Sequence, residues 1–266
     1  MTTFAGGTGG GDVDGPVATS RFNQPQGISA ADDGTLYVSD LGNSSVRKVS
    51  VGGVVTTLAR GLELPLRTAA RSAAGPVYVL LGAVGGFGRY SKVISQDGAV
   101  RPFVYTGSSF TPAALATDNA GNMYLSQSGG VVLISPTENY RTFATGMDAS
   151  GLHVDAAGTI YFIAGSSAGV IDSAGKVTIR AARAIEGGLL EAGLAVDPDG
   201  NMYVTDGANI RKVTPQGAVA TIANITTVQG VPAGFDANVL TKMNGLTWSG
   251  GALYATVLNA VIRISL

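Results

Sequence analysis

Gly193-Leu194-Ala195-Val196-Asp197-Pro198-Asp199-Gly200-Asn201-Met202-Tyr203-Val204-Thr205-Asp206, followed by Ile210-Arg211-Lys212-Val213, is the stretch on which the reading of this chain turns. It has a counterpart near the start. Gly27-Ile28-Ser29-Ala30-Ala31-Asp32-Asp33-Gly34-Thr35-Leu36-Tyr37-Val38-Ser39-Asp40 is followed by Val46-Arg47-Lys48-Val49. The spacing agrees through the final Asp. Each copy joins two short apolar runs through a Gly-bearing turn, the pattern of paired strands.

Weaker copies fill the interval. They run Ala114-Leu115-Ala116-Thr117-Asp118 to Met123-Tyr124-Leu125, and Gly151-Leu152-His153-Val154-Asp155 to Ile160-Tyr161-Phe162. A degenerate copy runs from Thr68 to Val77-Tyr78-Val79, and the last from Gly245-Leu246-Thr247-Trp248 to Leu253-Tyr254. The copies begin near 27, 68, 114, 151, 193 and 245. Self-similarity at a period of about 40 residues marks a repeat architecture. Strand A is the Gly-Leu-x-Val run and strand B is centred on the tyrosine. Strand C is the Ile-Arg-Lys-Val run. A Gly turn then leads to strand D, as in Val54-Val55-Thr56-Thr57-Leu58. The β-branched content fits strands. The expected fold is all-β: a six-bladed β-propeller with four antiparallel strands per blade, one domain over residues 1–266.

The sixth copy ends at Val261-Ile262-Arg263-Ile264-Ser265-Leu266 without a strand D. Thr2-Thr3-Phe4-Ala5 has the pattern of Thr56-Thr57-Leu58-Ala59, and Ala5 to Gly27 spans the same 22 positions as Ala223 to Gly245. Residues 2–5 are therefore expected to close the last blade, because an unpaired sheet edge exposes backbone donors and acceptors.

Phe22-Asn23-Gln24-Pro25-Gln26-Gly27-Ile28, Leu36-Tyr37-Val38-Ser39-Asp40, Val46-Arg47-Lys48-Val49 and Val54-Val55-Thr56-Thr57-Leu58-Ala59 carry a resemblance to the NHL-repeat family of β-propellers. The resemblance extends over essentially the whole chain and implies the propeller fold. It leaves function open, because NHL propellers include protein-binding modules, RNA-binding modules and enzymes.

Composition narrows the classes. The 17 Lys and Arg are scattered and the net charge is −1, so no nucleic-acid partner is expected. There is no cysteine, which removes disulfides and thiolate metal sites. No run approaches the roughly 20 apolar residues of a spanning helix, and no signal peptide is visible before Thr2, so no membrane partner is expected.

Strands A line the channel of a propeller. Their third positions read Ser29, Ala70, Ala116, His153, Ala195 and Thr247. His153 is the only histidine, which argues against the multi-histidine sites of propeller lyases such as peptidyl-amidating lyase. It reads either as a functional channel residue or as a half-buried histidine with a hydrogen-bond partner. Gluconolactonase- and paraoxonase-type propellers, which hold calcium on the axis with Glu, Asn and Asp, are the enzyme comparison. This chain has four glutamates, Glu63, Glu138, Glu186 and Glu191, and none stands early on a strand A.

Asp118, Asp155 and Asp197 end strands A before Gly turns and are expected to cap turn amides, with Asp40 and Asp206 bracing B–C loops. Asp12-Val13-Asp14-Gly15 lacks the third ligand and distal Glu of a calcium loop. Residues 6–11 lack the Gly-Lys-Ser/Thr of a phosphate loop and read as a flexible crossing. The repeated tyrosines read as inter-blade packing, and Trp248 as packing against blade 1.

The loops that break the repeat are the crossings 6–24 and 224–244 and the glycine-rich segment 82–89 containing Phe87. Arg67 and Arg71 replace the usual residues on strand A of blade 2. The candidate ligand site is the channel mouth formed by Arg67, Arg89, His153 and Asn244, with no metal and no cofactor. The resulting expectation is a non-enzymatic binding or scaffold propeller, monomeric, presenting loops at one face to a protein or carbohydrate partner. It reads as a domain of a larger exported bacterial protein, with an extracytoplasmic or secreted location. The alternative is a calcium-dependent lactonase-like hydrolase with a metal at the channel mouth.

Overall fold

The computed structural model describes residues 1–82, 90–103, 112–186, 193–225 and 242–266. They form six antiparallel sheets, the blades of a propeller. Blade 1 runs Pro25–Ala30, Leu36–Asp40, Ser45–Val49 and Val54–Ala59 as strands A to D. Blade 2 runs Pro65–Ala69, Val77–Leu81, Tyr90–Ile94 and Val100–Phe103. Blade 3 follows with Leu115–Thr117, Met123–Gln127, Gly130–Ile134 and Tyr140–Thr145, and blade 4 with Ala149–Val154, Ile160–Ala164, Ser167–Ile171 and Val177–Ala181. Blade 5 is Leu194–Val196, Met202–Asp206, Asn209–Val213 and Val219–Asn224. Blade 6 takes Leu246–Ser249, Ala252–Val257 and Ala260–Ser265 from the far end of the chain and Thr2–Gly6 from its start. That last strand pairs antiparallel in the register Thr2↔Arg263, Thr3↔Ile262, Ala5↔Val261 and Gly6↔Ala260. The predicted closure is thus present. Among the described residues, no helix is long and apolar enough to cross a membrane.

Burial follows from each blade lying between two others. Strands B such as Leu36–Asp40 and Val77–Leu81 are buried at every position, because both of their faces meet a neighbouring blade. Outer strands such as Val54–Ala59 mix exposed and buried residues. The apolar core is divided into six clusters, one at each blade interface. Near the axis the blades approach until only a hydrogen fits. A Cβ on Gly27 would lie 2.7 Å from the Cα of Arg67, and one on Gly245 would lie 2.7 Å from the carbonyl oxygen of Gln26. This is the physical reason why copies of the repeat open with glycine.

Beyond its glycine run, the crossing from blade 6 to blade 1 is tied to blade 1 over residues 12–22. Gly15–Pro16 adds a fifth, two-residue strand beside Val54–Ala59. The fully buried Arg47 donates to Asp40 at 2.8 Å and Asp14 at 2.6 Å, and to the carbonyls of Val13 and Arg21 at 3.0 and 3.1 Å. Its guanidinium also stands 5.2 Å above the Phe22 ring. Asp12 pairs with Arg60. The carboxylates that resemble a calcium loop therefore face two arginines. Burial works against the charge on Asp14, but hydrogen bonds from Arg47 and Thr57 outweigh it and hold its carboxyl below the usual range.

Two outcomes test this account. Deleting residues 1–7 removes strand D of blade 6 and is expected to lower the melting temperature markedly; an unchanged value would sink the closure. Asp40→Ala leaves a buried guanidinium short of a carboxylate, and chemical denaturation should show a loss of about 3 kcal/mol.

Candidate functional site

Side chains from all six blades divide the channel into two cavities. Ile28, Thr68, Leu115, Leu152, Leu194 and Leu246, one residue from strand A of each blade, line two separate cavities and form the boundary between them. All six are buried. On the side of the D–A connections the cavity is about 60 Å³. On the side of the A–B turns it is a chamber of about 410 Å³. The channel is therefore a cup with an aliphatic floor.

Strand pairing assigns the third positions. Ser29, Ala116, His153, Ala195 and Thr247 each stand opposite the tyrosine of their own blade. In blade 2 the residue opposite Tyr78 is Ala69, not Ala70. Ala195 is fully buried and takes no part in the chamber lining, in contrast to the expectation for it.

The register difference in blade 2 has a consequence at the chamber mouth. In blades 3, 4 and 5 the Asp that ends strand A turns back on its own turn. Asp155 accepts from the amides of Ala157 and Thr159, each at 2.9 Å, and from the Tyr161 hydroxyl at 3.1 Å. Asp118 and Asp197 make the same bond to Tyr124 and Tyr203, at 3.1 and 2.9 Å. Burial and the neighbouring Asp118 carboxylate push the Tyr124 phenol up to about 12. These tyrosines thus brace their own blade as well as packing between blades.

In blade 2 the A–B connection is one residue longer. Ser72 caps the turn, accepting from the amide of Ala74 at 3.2 Å, and Arg71 is released toward the axis. Its Nε reaches Asn119 of blade 3 and lies 3.3 Å from Asp32 of blade 1, while Nη1 donates to the carbonyl of Val154 in blade 4 at 3.3 Å. One side chain therefore spans part of the chamber mouth. The departure of Arg71 from the repeat was the signal that could have placed it in the site.

The four predicted site residues do not form one cluster. Arg67 lines the small cavity and donates to the backbone carbonyl of Asn244 at 3.1 Å. Asn244 donates its side-chain amide to the carbonyl of Pro25 at 3.3 Å. These two residues meet at the D–A end. His153 lies beyond the aliphatic floor, in the large chamber. Arg89 lies outside the described residues, as do Phe87 and Glu191.

His153 has no hydrogen-bond partner among the described residues; its ring meets only the edge of Tyr161, centroid to centroid 6.2 Å. This corrects the reading of a partnered histidine. Burial, helped by the charge of Arg71 and opposed by Asp155, lowers its pKa from 6.5 to about 4. Trp248 also lines the chamber, and it stacks on Tyr203 of blade 5 at 5.7 Å rather than on blade 1. The folded-state pKa of His153 lies below the unfolded one, so unfolding takes up a proton between about pH 6.5 and 4. Stability is lost as pH falls through that window. Replacing His153 with Asn should remove up to about 3 kcal/mol of that acid sensitivity, read from denaturation curves at pH 7 and pH 4.

Comparison with known proteins agrees with this architecture. The family model of the NHL repeat matches residues 22–49, within blade 1 and its approach. No curated protein sequence matches the chain. An auxiliary nutrient binding protein from Bacteroides thetaiotaomicron VPI-5482 superposes with a TM-score of 0.72 at 15% identity, over 99% of this chain and 76% of that one. A gluconolactonase from Xanthomonas campestris gives 0.67 at 16% identity, over 97% and 98%. A chain of the nidogen/laminin complex gives 0.63 at 18%, over 84% of each. At these identities the likeness is one of fold. The chain is a six-bladed β-propeller in which residues 22–49 match the NHL repeat.

Proposed function

We propose that this propeller is a binding module rather than an enzyme, and that it receives a protein or carbohydrate partner at the A–B mouth of its channel. The blind chamber carries this reading. At about 410 Å³ it has the size of a small-ligand pocket, and its floor turns the channel into a receptacle. Arg71, His153, Thr117, Thr247 and Trp248 join Ser29, Asp32, Asp155, Asp197 and Ser249 in a wall that is polar as well as aliphatic. A hydrolase needs a free acid and base or a metal-bound water at the reacting bond. Here Asp155 and Asp197 bind their own turns, Asp32 pairs with Arg71, and His153 is the chain's only histidine. The fold is neutral between the readings, since a nutrient-binding protein and a gluconolactonase both share it.

Thermal melting with calcium and with a saccharide panel tests the proposal, because a ligand that binds only the native state raises the melting temperature with its concentration. The expected result is a shift with a saccharide or a protein partner, none with calcium, and no consumption of sugar lactones. Calcium-dependent lactone opening would overturn it.

A further inference from the structure

We propose that the chamber selects a small hydroxylated carboxylate, such as an acidic sugar, and seats its carboxylate on Arg71. The inference rests on the binding reading above and names the ligand class for that site.

The argument is one of donors and acceptors. Arg71 uses Nε and Nη1 on Asn119, Asp32 and Val154, and no described group bonds its Nη2. The indole N–H of Trp248, the ring nitrogens of His153 and the hydroxyls of Thr117 and Thr247 have no hydrogen-bond partner among the described residues, and all four residues line the chamber. Guanidinium and indole groups only donate. The two donor-only groups, guanidinium and indole, call for acceptors, and a carboxylate concentrates acceptor capacity in the form that guanidinium binds best; the hydroxyls and the imidazole, which donate and accept, suit ligand hydroxyls.

The nearby Asp155 and Asp197 keep their charge, but their acceptor sites are taken by their own turns. Asp155 takes three hydrogen bonds from its own turn and tyrosine, and Asp197 likewise takes three, from Asn201 and Tyr203. The side chain of Asp32 is 61% exposed and sits at the rim. With Asp32, Asp155 and Asp197 all in the chamber lining beside Arg71, a doubly charged phosphate is repelled more strongly than a monoanion. His153 is uncharged at neutral pH, so it adds no second cation, and it can both donate and accept toward ligand hydroxyls.

Calorimetric titration of the full chain with glucuronate, glucose and acetate at constant ionic strength tests the assignment. Glucuronate is expected to bind at least tenfold more tightly than either of the others. Arg71→Gln should reduce glucuronate affinity at least tenfold and abolish the preference for glucuronate over glucose. Trp248→Phe, which keeps an aromatic ring against Tyr203 and removes the N–H, should cost several-fold. Should Arg71→Gln fail to fold, the wild-type selectivity and the Trp248→Phe loss decide the matter. Equal affinity for glucose and glucuronate, or an unaltered Arg71→Gln, would overturn the carboxylate assignment while leaving a binding chamber in place. No binding of any of the three at millimolar concentration would overturn the inference outright, whatever the saccharide and calcium melting series shows.

Discussion

The antiparallel pairing of Thr2–Gly6 with Ala260–Ser265 is the contact on which the rest of this structure depends. Among the described residues, every apolar cluster is shared by two adjacent blades. A blade has no core of its own, so each face needs a neighbour, and a linear stack would leave two faces bare. Closing the circle removes both bare faces. Placing the two ends of the chain in one blade means that neither end can leave without unpairing from the other.

Closure also sets what happens at the axis. Six strands A converge there, and the backbone of one blade reaches within 2.7 Å of where the Cβ of Gly27 would stand. At Gly27, Gly193 and Gly245 glycine permits the approach, and the residue that follows each turns into the channel. Five aliphatic side chains and Thr68 fill it at one level. The hydrophobic effect that buries them also divides the channel, leaving one roomy end and one narrow end.

Repetition and departure from repetition do different work. The Asp and Tyr that recur in blades 3, 4 and 5 hydrogen-bond each other and stabilise their own turn. Residues that occur once bring polar groups to the chamber: Arg71, set loose by a longer turn, His153, and Trp248, beside the hydroxyls of Thr117 and Thr247. Arg47, a repeat position that recurs as Arg211, is buried beneath the crossing of residues 12–22 and ties blade 1 to it.

The blades, their order, the closing strand and the turn-capping aspartates were legible in the sequence. They depend on spacing along the chain, and spacing survives in a linear string. The function-bearing geometry did not survive there. Arg67 and Asn244 proved to lie at one end of the channel and His153 at the other, because an aliphatic floor assembled from six distant segments stands between them. Ala69 took the place assigned to Ala70, because one extra residue in a turn moves the strand register. Trp248 turned to blade 5, since which face a side chain meets is decided by how the blades pack around the ring. Local periodicity determines the strands. Only the closed ring decides which of their exceptions meet across the axis.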